Sequence, residues 1–213
     1  MINLVFRKLQ EPLRILCLGA HSDDLEIGCG GSVLKLLQDQ EAIVYWTVFS
    51  CTDKRKEEAV CSAADLLQRA KSHKVVIRTF RDGFFPYRGE EVKVAFEELK
   101  SQFSPDLIFT HARNDLHQDH RLVNELTWNT FRDHLILEYE IPKYDADLGA
   151  PNVFVELGED ICRSKIDHIL KYFQTQLEKR WFDEETFRGL MRLRGVESGT
   201  RYAEAFYCRK III

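Results

Sequence analysis

The chain has 213 residues, 45% hydrophobic and 30% charged, with 30 basic against 34 acidic side chains and a net charge of −4. Those values suit one globular domain, residues 1–213, with a sizeable core, and exclude a disordered chain. The mildly acidic balance argues against a nucleic-acid partner, and no run reaches the ~18 apolar residues of a membrane span.

The start, Met1 to Lys8, lacks the apolar core and small-residue cleavage site of a signal peptide. The six cysteines, Cys17, Cys29, Cys51, Cys61, Cys162 and Cys208, form no CxxC pair and no regular framework, which fits free thiols in a reducing, cytoplasmic compartment. Cys17 and Cys61 read as small core residues and Cys29 as the filling of a tight turn.

The first element is the apolar run Ile15 to Ala20, the pattern of a buried parallel strand. It runs into Ala20-His21-Ser22-Asp23-Asp24-Leu25-Glu26-Ile27-Gly28-Cys29-Gly30-Gly31. Beside the His21 imidazole, the carboxylates of Asp23, Asp24 and Glu26 repel one another unless protons or a cation neutralise them, and a metal ion is the simplest cation. The glycines read as a turn, after which residues 32–38 have helical periodicity. A β-branched and aromatic strand is predicted at 42–49, and Ser50 to Asp53 supplies capping residues for a helix through about 71. A third strand follows at 74–79. The loop at 81–87 carries Asp82-Gly83 and Pro86, and its Phe84 and Phe85 either anchor the loop or wall a pocket.

A helix at 91–101 and a strand at 106–110 complete a fourth unit. Strands alternating with helices specify an α/β fold, a Rossmann-like, mostly parallel sheet flanked by helices. The fourth strand leads into Thr110-His111-Ala112-Arg113-Asn114-Asp115-Leu116-His117-Gln118-Asp119-His120, followed by a helix at about 121–131. Beyond it the spacing predicts strands at 135–140 and 152–156, helices at about 159–176 and 183–193, and a last strand at 203–208. The connection Lys143 to Pro151 either shapes the substrate's acceptor end or is an ordinary surface loop.

Parallel strands bring both ligand-rich loops to one sheet edge if the strands are neighbours. His21, Asp24 and His120 then offer two imidazoles and a carboxylate, an open catalytic zinc site with room for a water. Asp23, adjacent but pointing elsewhere, is placed to take a proton from that water. His117 is placed to stabilise an oxyanion or protonate a leaving nitrogen, and Asp119 to orient a histidine.

Ala20 to Gly31 and His117 to His120 resemble the two signatures of the LmbE-like, or PIG-L, zinc-dependent N-deacetylases. The resemblance extends to Arg55-Lys56-Glu57-Glu58, Asp82-Gly83, Arg194-Gly195 and Tyr202 to Phe206. It implies zinc, or another divalent transition metal, on His21, Asp24 and His120, with Asp23 as general base and His117 as the electrophilic or acid partner. By resemblance alone, Arg55 and Asp82 line the substrate pocket. The implied substrate is an N-acetylated amino sugar or its conjugate, and homo-oligomerisation is left open. Glu26 is assigned to the surroundings of the site or to the helix start rather than to the ligand set. Ser22 and Gln118 stand where the family motifs carry proline, which implies softer loops here.

Three other readings compete. A methyltransferase glycine loop is opposed by His21 to Asp24, which interrupt the strand-to-glycine step. A non-haem Fe(II) facial-triad enzyme is opposed by the α/β alternation. A non-catalytic carbohydrate-binding protein is opposed by Asp23 and His117, because binding alone needs neither base nor acid.

Overall fold

The computed structural model describes residues 11–212, so the expectation for Met1 to Lys8 lies outside it. Seven strands form one sheet, β1 (Leu13–Gly19), β2 (Ala42–Val48), β3 (Ser72–Ile77), β4 (Leu107–His111), β5 (Leu135–Tyr139), β6 (Val153–Leu157) and β7 (Tyr202–Tyr207). Their order is β3-β2-β1-β4-β5-β7-β6. The first five are parallel, and β7 runs antiparallel to both β5 and β6.

Six α-helices flank the sheet: α1 (Asp24–Asp39), α2 (Asp53–Leu66), α3 (Gly89–Gln102), α4 (Gln118–Thr130), α5 (Glu159–Tyr172) and α6 (Glu184–Ser198). Strand residues alternate between two cores, as the two-residue period of a strand requires. Leu13, Ile15 and Cys17 of β1 pack with apolar residues of α1, α2, α5 and α6. Leu16 and Leu18 pack on the opposite face with α3 and α4. The fold is the Rossmann-like α/β layer expected from the alternation of elements.

β1 pairs with β2 on one side and β4 on the other, with Ile15 opposite Leu107 and Cys17 opposite Phe109. The chain therefore reverses its direction of travel across the sheet at β1. The crevice beyond the carboxyl ends of β1 and β4 is the topological switch point where such sheets bind ligands. Neighbouring strands bring the loops after β1 and β4 together, which the order of elements in the sequence permitted without requiring.

The glycine run does not form the expected turn. Gly28, Gly30 and Gly31 lie inside α1, because the helix needs bare backbone to approach the sheet. A Cβ at Gly28 would fall 2.2 Å from the Tyr139 ring, and one at Gly31 would fall 2.8 Å from Leu157 and 2.9 Å from Glu204. Cys29 is buried in that helix rather than in a turn, and Cys61 is exposed rather than a core residue. The α5 helix stops at Tyr172 and a short 3-10 turn covers Gln174–Gln176, while α6 continues to Ser198 and ends on left-handed Gly199 (φ 75°). Among the described residues no helix is long and apolar enough to cross a membrane.

Candidate active site

The first turn of α1 carries Asp24 and Glu26, where the helix dipole favours carboxylates. Asp23 occupies the N-cap position but its side chain caps nothing. Its Oδ1 instead accepts from Arg55 Nη2 at 3.0 Å. At the other loop His117 is the N-cap of α4, so Asp119 and His120 lie in the first helical turn rather than in a loop. A helix terminus fixes their directions more firmly than an irregular segment would.

These two termini bring three donor atoms together. His21 Nδ1 lies 3.1 Å from His120 Nε2 and 3.4 Å from Asp24 Oδ2, and His120 Nε2 lies 3.5 Å from the same oxygen. Tetrahedral donors on a cation with bonds of about 2.0–2.1 Å stand about 3.3 Å apart, so the spacing fits such an ion. The tautomers fit too. His120 Nδ1 faces Asp115 Oδ2 at 2.8 Å, and His21 Nε2 faces Asp82 Oδ1 at 3.1 Å and Asp119 Oδ2 at 3.3 Å. With the proton on each of those outer nitrogens, and neither ring doubly protonated, a lone pair of each ring would face the other. Two ring nitrogens and a carboxylate oxygen converging in a buried space offer a donor set that could hold a cation.

His117 also lies near this group, as a third imidazole within reach of His21 and His120. Its Nδ1, however, accepts from the Asp119 N–H at 3.3 Å. A neutral imidazole with Nδ1 accepting carries its proton on Nε2, which makes His117 a donor. Burial, and after it the neighbouring His21, lowers the His117 pKa, which favours that neutral form.

Charge around the site is unbalanced toward the acid side. Burial works against ionisation of Asp24, but His120, His111 and His21 outweigh it and hold Asp24 well below the usual carboxylate range. Burial raises the Asp23 pKa, opposed by Arg55 and assisted by Asp24. The His120 pKa falls to about 3, first from burial and then from His111. For His21, burial pulls downward, but Asp24, Asp119 and Asp82 together push its pKa well above the usual value. An imidazole drawn toward protonation by three carboxylates occupies a place suited to a positive charge.

All eight residues singled out from the sequence lie in this one region. Asp82 contacts His21, lies 3.8 Å from Arg55 and is half exposed. The hydrogen bond from His21 is the first cause that takes the Asp82 pKa down to about 2. Asp119 also accepts from the N–H groups of Gly83 (2.6 Å) and Phe85 (3.1 Å), binding the loop after β3 to α4. Within that loop Phe85 is the buried anchor, while Phe84 is 38% exposed beneath the Arg81 guanidinium. Glu26 contacts none of the three donors. It is buried and accepts from Ser62 Oγ, with its second oxygen unpaired, and burial pushes its pKa up to about 8.

Sequence reading did not assign roles to several neighbours. Asp115 holds both His120 and, through Oδ1, the His117 N–H at 2.8 Å. Its position two residues before His117, where an aspartate readily accepts from a following backbone N–H, was the available signal. His111 is fully buried, stacks on His120 with centroids 3.8 Å apart, and lies 3.1 Å from Asp24 Oδ2. Lys143 reaches Asp115 Oδ2 at 3.1 Å and Asp147 Oδ2 at 2.5 Å, and Asp147 also accepts from the Leu116 N–H at 2.7 Å. The connection from Lys143 to Pro151 is thus tied to the site's second loop.

An α/β layer carries at its switch point a His/Asp cluster that could hold a metal ion. The model of the PIG-L family, described as GlcNAc-PI de-N-acetylase, matches residues 16–131, and the chain belongs to that family. Hydrolytic deacetylation is accordingly its class of reaction. The chain is 30% identical over 170 residues to the uncharacterized deacetylase YaiS of Escherichia coli (strain K12), covering 74% of this chain and 89% of that protein. Its fold is similar to that of N,N'-diacetylchitobiose deacetylase from Pyrococcus horikoshii, with a TM-score of 0.68 and 23% identity over 92% of this chain and 83% of that one. It is equally similar to GalB, the 4-carboxy-2-hydroxymuconate hydratase of Pseudomonas putida KT2440, with a TM-score of 0.69 and 18% identity over 94% and 98% of the two chains. A deacetylase and a hydratase on one fold show that the site, not the fold, must carry the argument for chemistry.

Proposed function

We propose that the chain is a zinc-dependent N-deacetylase acting on an N-acetylated amino sugar or amino-sugar conjugate, with His21, Asp24 and His120 holding the metal. The observation that carries this reading is the convergence of the three donor atoms at 3.1, 3.4 and 3.5 Å. Bound there, zinc supplies Lewis acidity toward an acetyl carbonyl and brings the pKa of a water to about 7.

The chain's own residues do the rest. Asp23 is the general base. Arg55 occupies its Oδ1, which leaves Oδ2 free to take the water proton, and burial makes the carboxylate a better base. His117, with its Nε2 proton set by the bond at Nδ1, donates to the developing oxyanion. Asp23, by then protonated, returns its proton to the departing amine, and acetate and the free amino sugar result. Asp119 and Asp115 hold His21 and His120 in their working tautomers. Arg55 and Asp82, which retain exposed surface, face the acceptor sugar.

The test is amine release from N-acetylglucosamine and N,N'-diacetylchitobiose by metal-stripped protein with and without added zinc. Zinc-dependent release is the expected result. Failure of the stripped protein to bind any divalent transition metal would sink the proposal.

A further inference from the structure

Two polar side chains beside the site, Ser22 and Gln118, have no part in the proposed chemistry yet hydrogen-bond the segments that carry Arg55 and Asp82. Ser22 Oγ accepts from Arg55 Nε at 2.9 Å. The same guanidinium donates to Asp23 and approaches Asp82 at 3.8 Å. Gln118 Nε2 donates to the Gly83 carbonyl at 3.2 Å, while the Gly83 N–H donates to Asp119. Residues 118 and 119 therefore hold both polar groups of Gly83, a residue at φ 79° that joins Asp82 to Phe84.

Ser22 is fully buried, and the Arg55 side chain is 19% exposed and that of Asp82 54%. The Arg55 guanidinium is held at Nε by Ser22, and the Asp82 carboxylate, which lies against His21 and Arg55, follows a backbone that Gln118 holds at Gly83. A fork-shaped guanidinium fixed at Nε has its remaining N–H groups aimed in set directions, so little freedom is left to lose when a hydroxyl binds. A proline at either position could make neither bond, having no polar side chain.

We infer that Ser22 and Gln118 are positioning residues for the acceptor sugar: Ser22 aims Arg55, and Gln118 aims Asp82 through Gly83. The inference rests on the deacetylase reading and goes beyond it by placing control of acceptor binding in two residues that touch neither metal nor base.

The experiment measures KM, kcat and zinc affinity for Ser22→Ala, Ser22→Thr and Gln118→Ala, with N-acetylglucosamine and N,N'-diacetylchitobiose as probes. Ser22→Ala is expected to raise KM roughly tenfold, as for a lost hydrogen bond to a charged group, with kcat within about twofold and zinc affinity unchanged. Ser22→Thr, which keeps the hydroxyl, restores KM. Gln118→Ala raises KM by a smaller factor and carries the test if Ser22→Ala does not fold. Unchanged KM in the alanine variants overturns the inference. So does a loss of kcat or zinc at constant KM, which is the signature of a structural role. If the wild-type protein holds zinc but releases no amine from either sugar, these sugars are not its acceptors and the inference about their binding falls, while the metal-site reading stands.

Discussion

The two halves of the sheet bury charge in opposite ways. Beyond β5, each buried carboxylate meets a buried cation. Glu204 binds Lys165 at 2.6 Å and accepts from the N–H groups of Gly31 and Ser32, and Glu140 binds Arg194 at 2.7 Å. At the carboxyl ends of β1 and β4, Asp23, Asp24, Asp82, Asp115 and Asp119 crowd around His21 and His120, and among the described residues only Arg55 and Lys143 are the arginine or lysine partners of the group. A balanced cluster is complete as it stands and fastens α1 and α6 to the antiparallel edge. An unbalanced one costs free energy unless protons or a further cation join it. The contrast separates structural charge from functional charge within one fold.

The contrast breaks most visibly on removal of a donor. His120→Ala is expected to abolish measurable activity and to leave the protein substantially free of zinc after dialysis, read by metal analysis; full zinc occupancy would remove His120 from the ligand set. Asp23→Asn should keep zinc and lose activity by about 10²–10⁴-fold, the range of a lost general base. Loss of zinc instead would make Asp23 a ligand.

On the balanced side, Glu204→Gln leaves the Lys165 ammonium buried without its partner and is expected to cost about 3–5 kcal/mol in denaturant unfolding. Zinc affinity and activity per folded molecule should stay at the wild-type level, and a parallel fall in zinc binding would dissolve the distinction between the halves. His117→Ala should retain zinc and reduce kcat by roughly 10²-fold, as for a lost oxyanion donor. Near-normal turnover would show that the imidazole contributes nothing to the reaction.

Glu26 gives the smallest effect and the one most sensitive to pH. Its carboxyl sits at about 8 in the folded chain, raised by burial, against an ordinary value of 4.5. A carboxyl raised on folding contributes its full stability below the unfolded pKa and loses it as pH climbs from about 4.5 toward 8. Glu26→Gln mimics the protonated group, so its melting temperature should equal that of wild-type protein near pH 4.5 and exceed it by several degrees at pH 8. Parallel melting curves across that window would mean that Glu26 is ionised in the folded protein.

Much of this protein was legible in order and composition. Apolar β-branched runs alternating with amphipathic segments dictate a parallel layer, because only helices packed on both faces can cover such strands. His21, Asp24, Asp119 and His120 stood out because carboxylates crowded beside imidazoles at strand ends need protons or a cation to neutralise them wherever the chain goes. What required the tertiary structure was everything set by approach between distant segments. The glycines of α1 read as a turn because their use, contact with Tyr139, Leu157 and Glu204, involves residues more than 100 positions away. Asp115, Lys143 and Asp147 gain their meaning only once the connection after β5 folds back on the loop after β4. Ser22 and Gln118 were departures from a motif in the sequence. In space each hydrogen-bonds a segment 33 or 35 residues away, which no local pattern records. Sequence alone fixed which groups carry the charge, because that follows from composition at predicted strand ends; which of them share a proton, an arginine or a cation depends on distances that only the packed sheet sets.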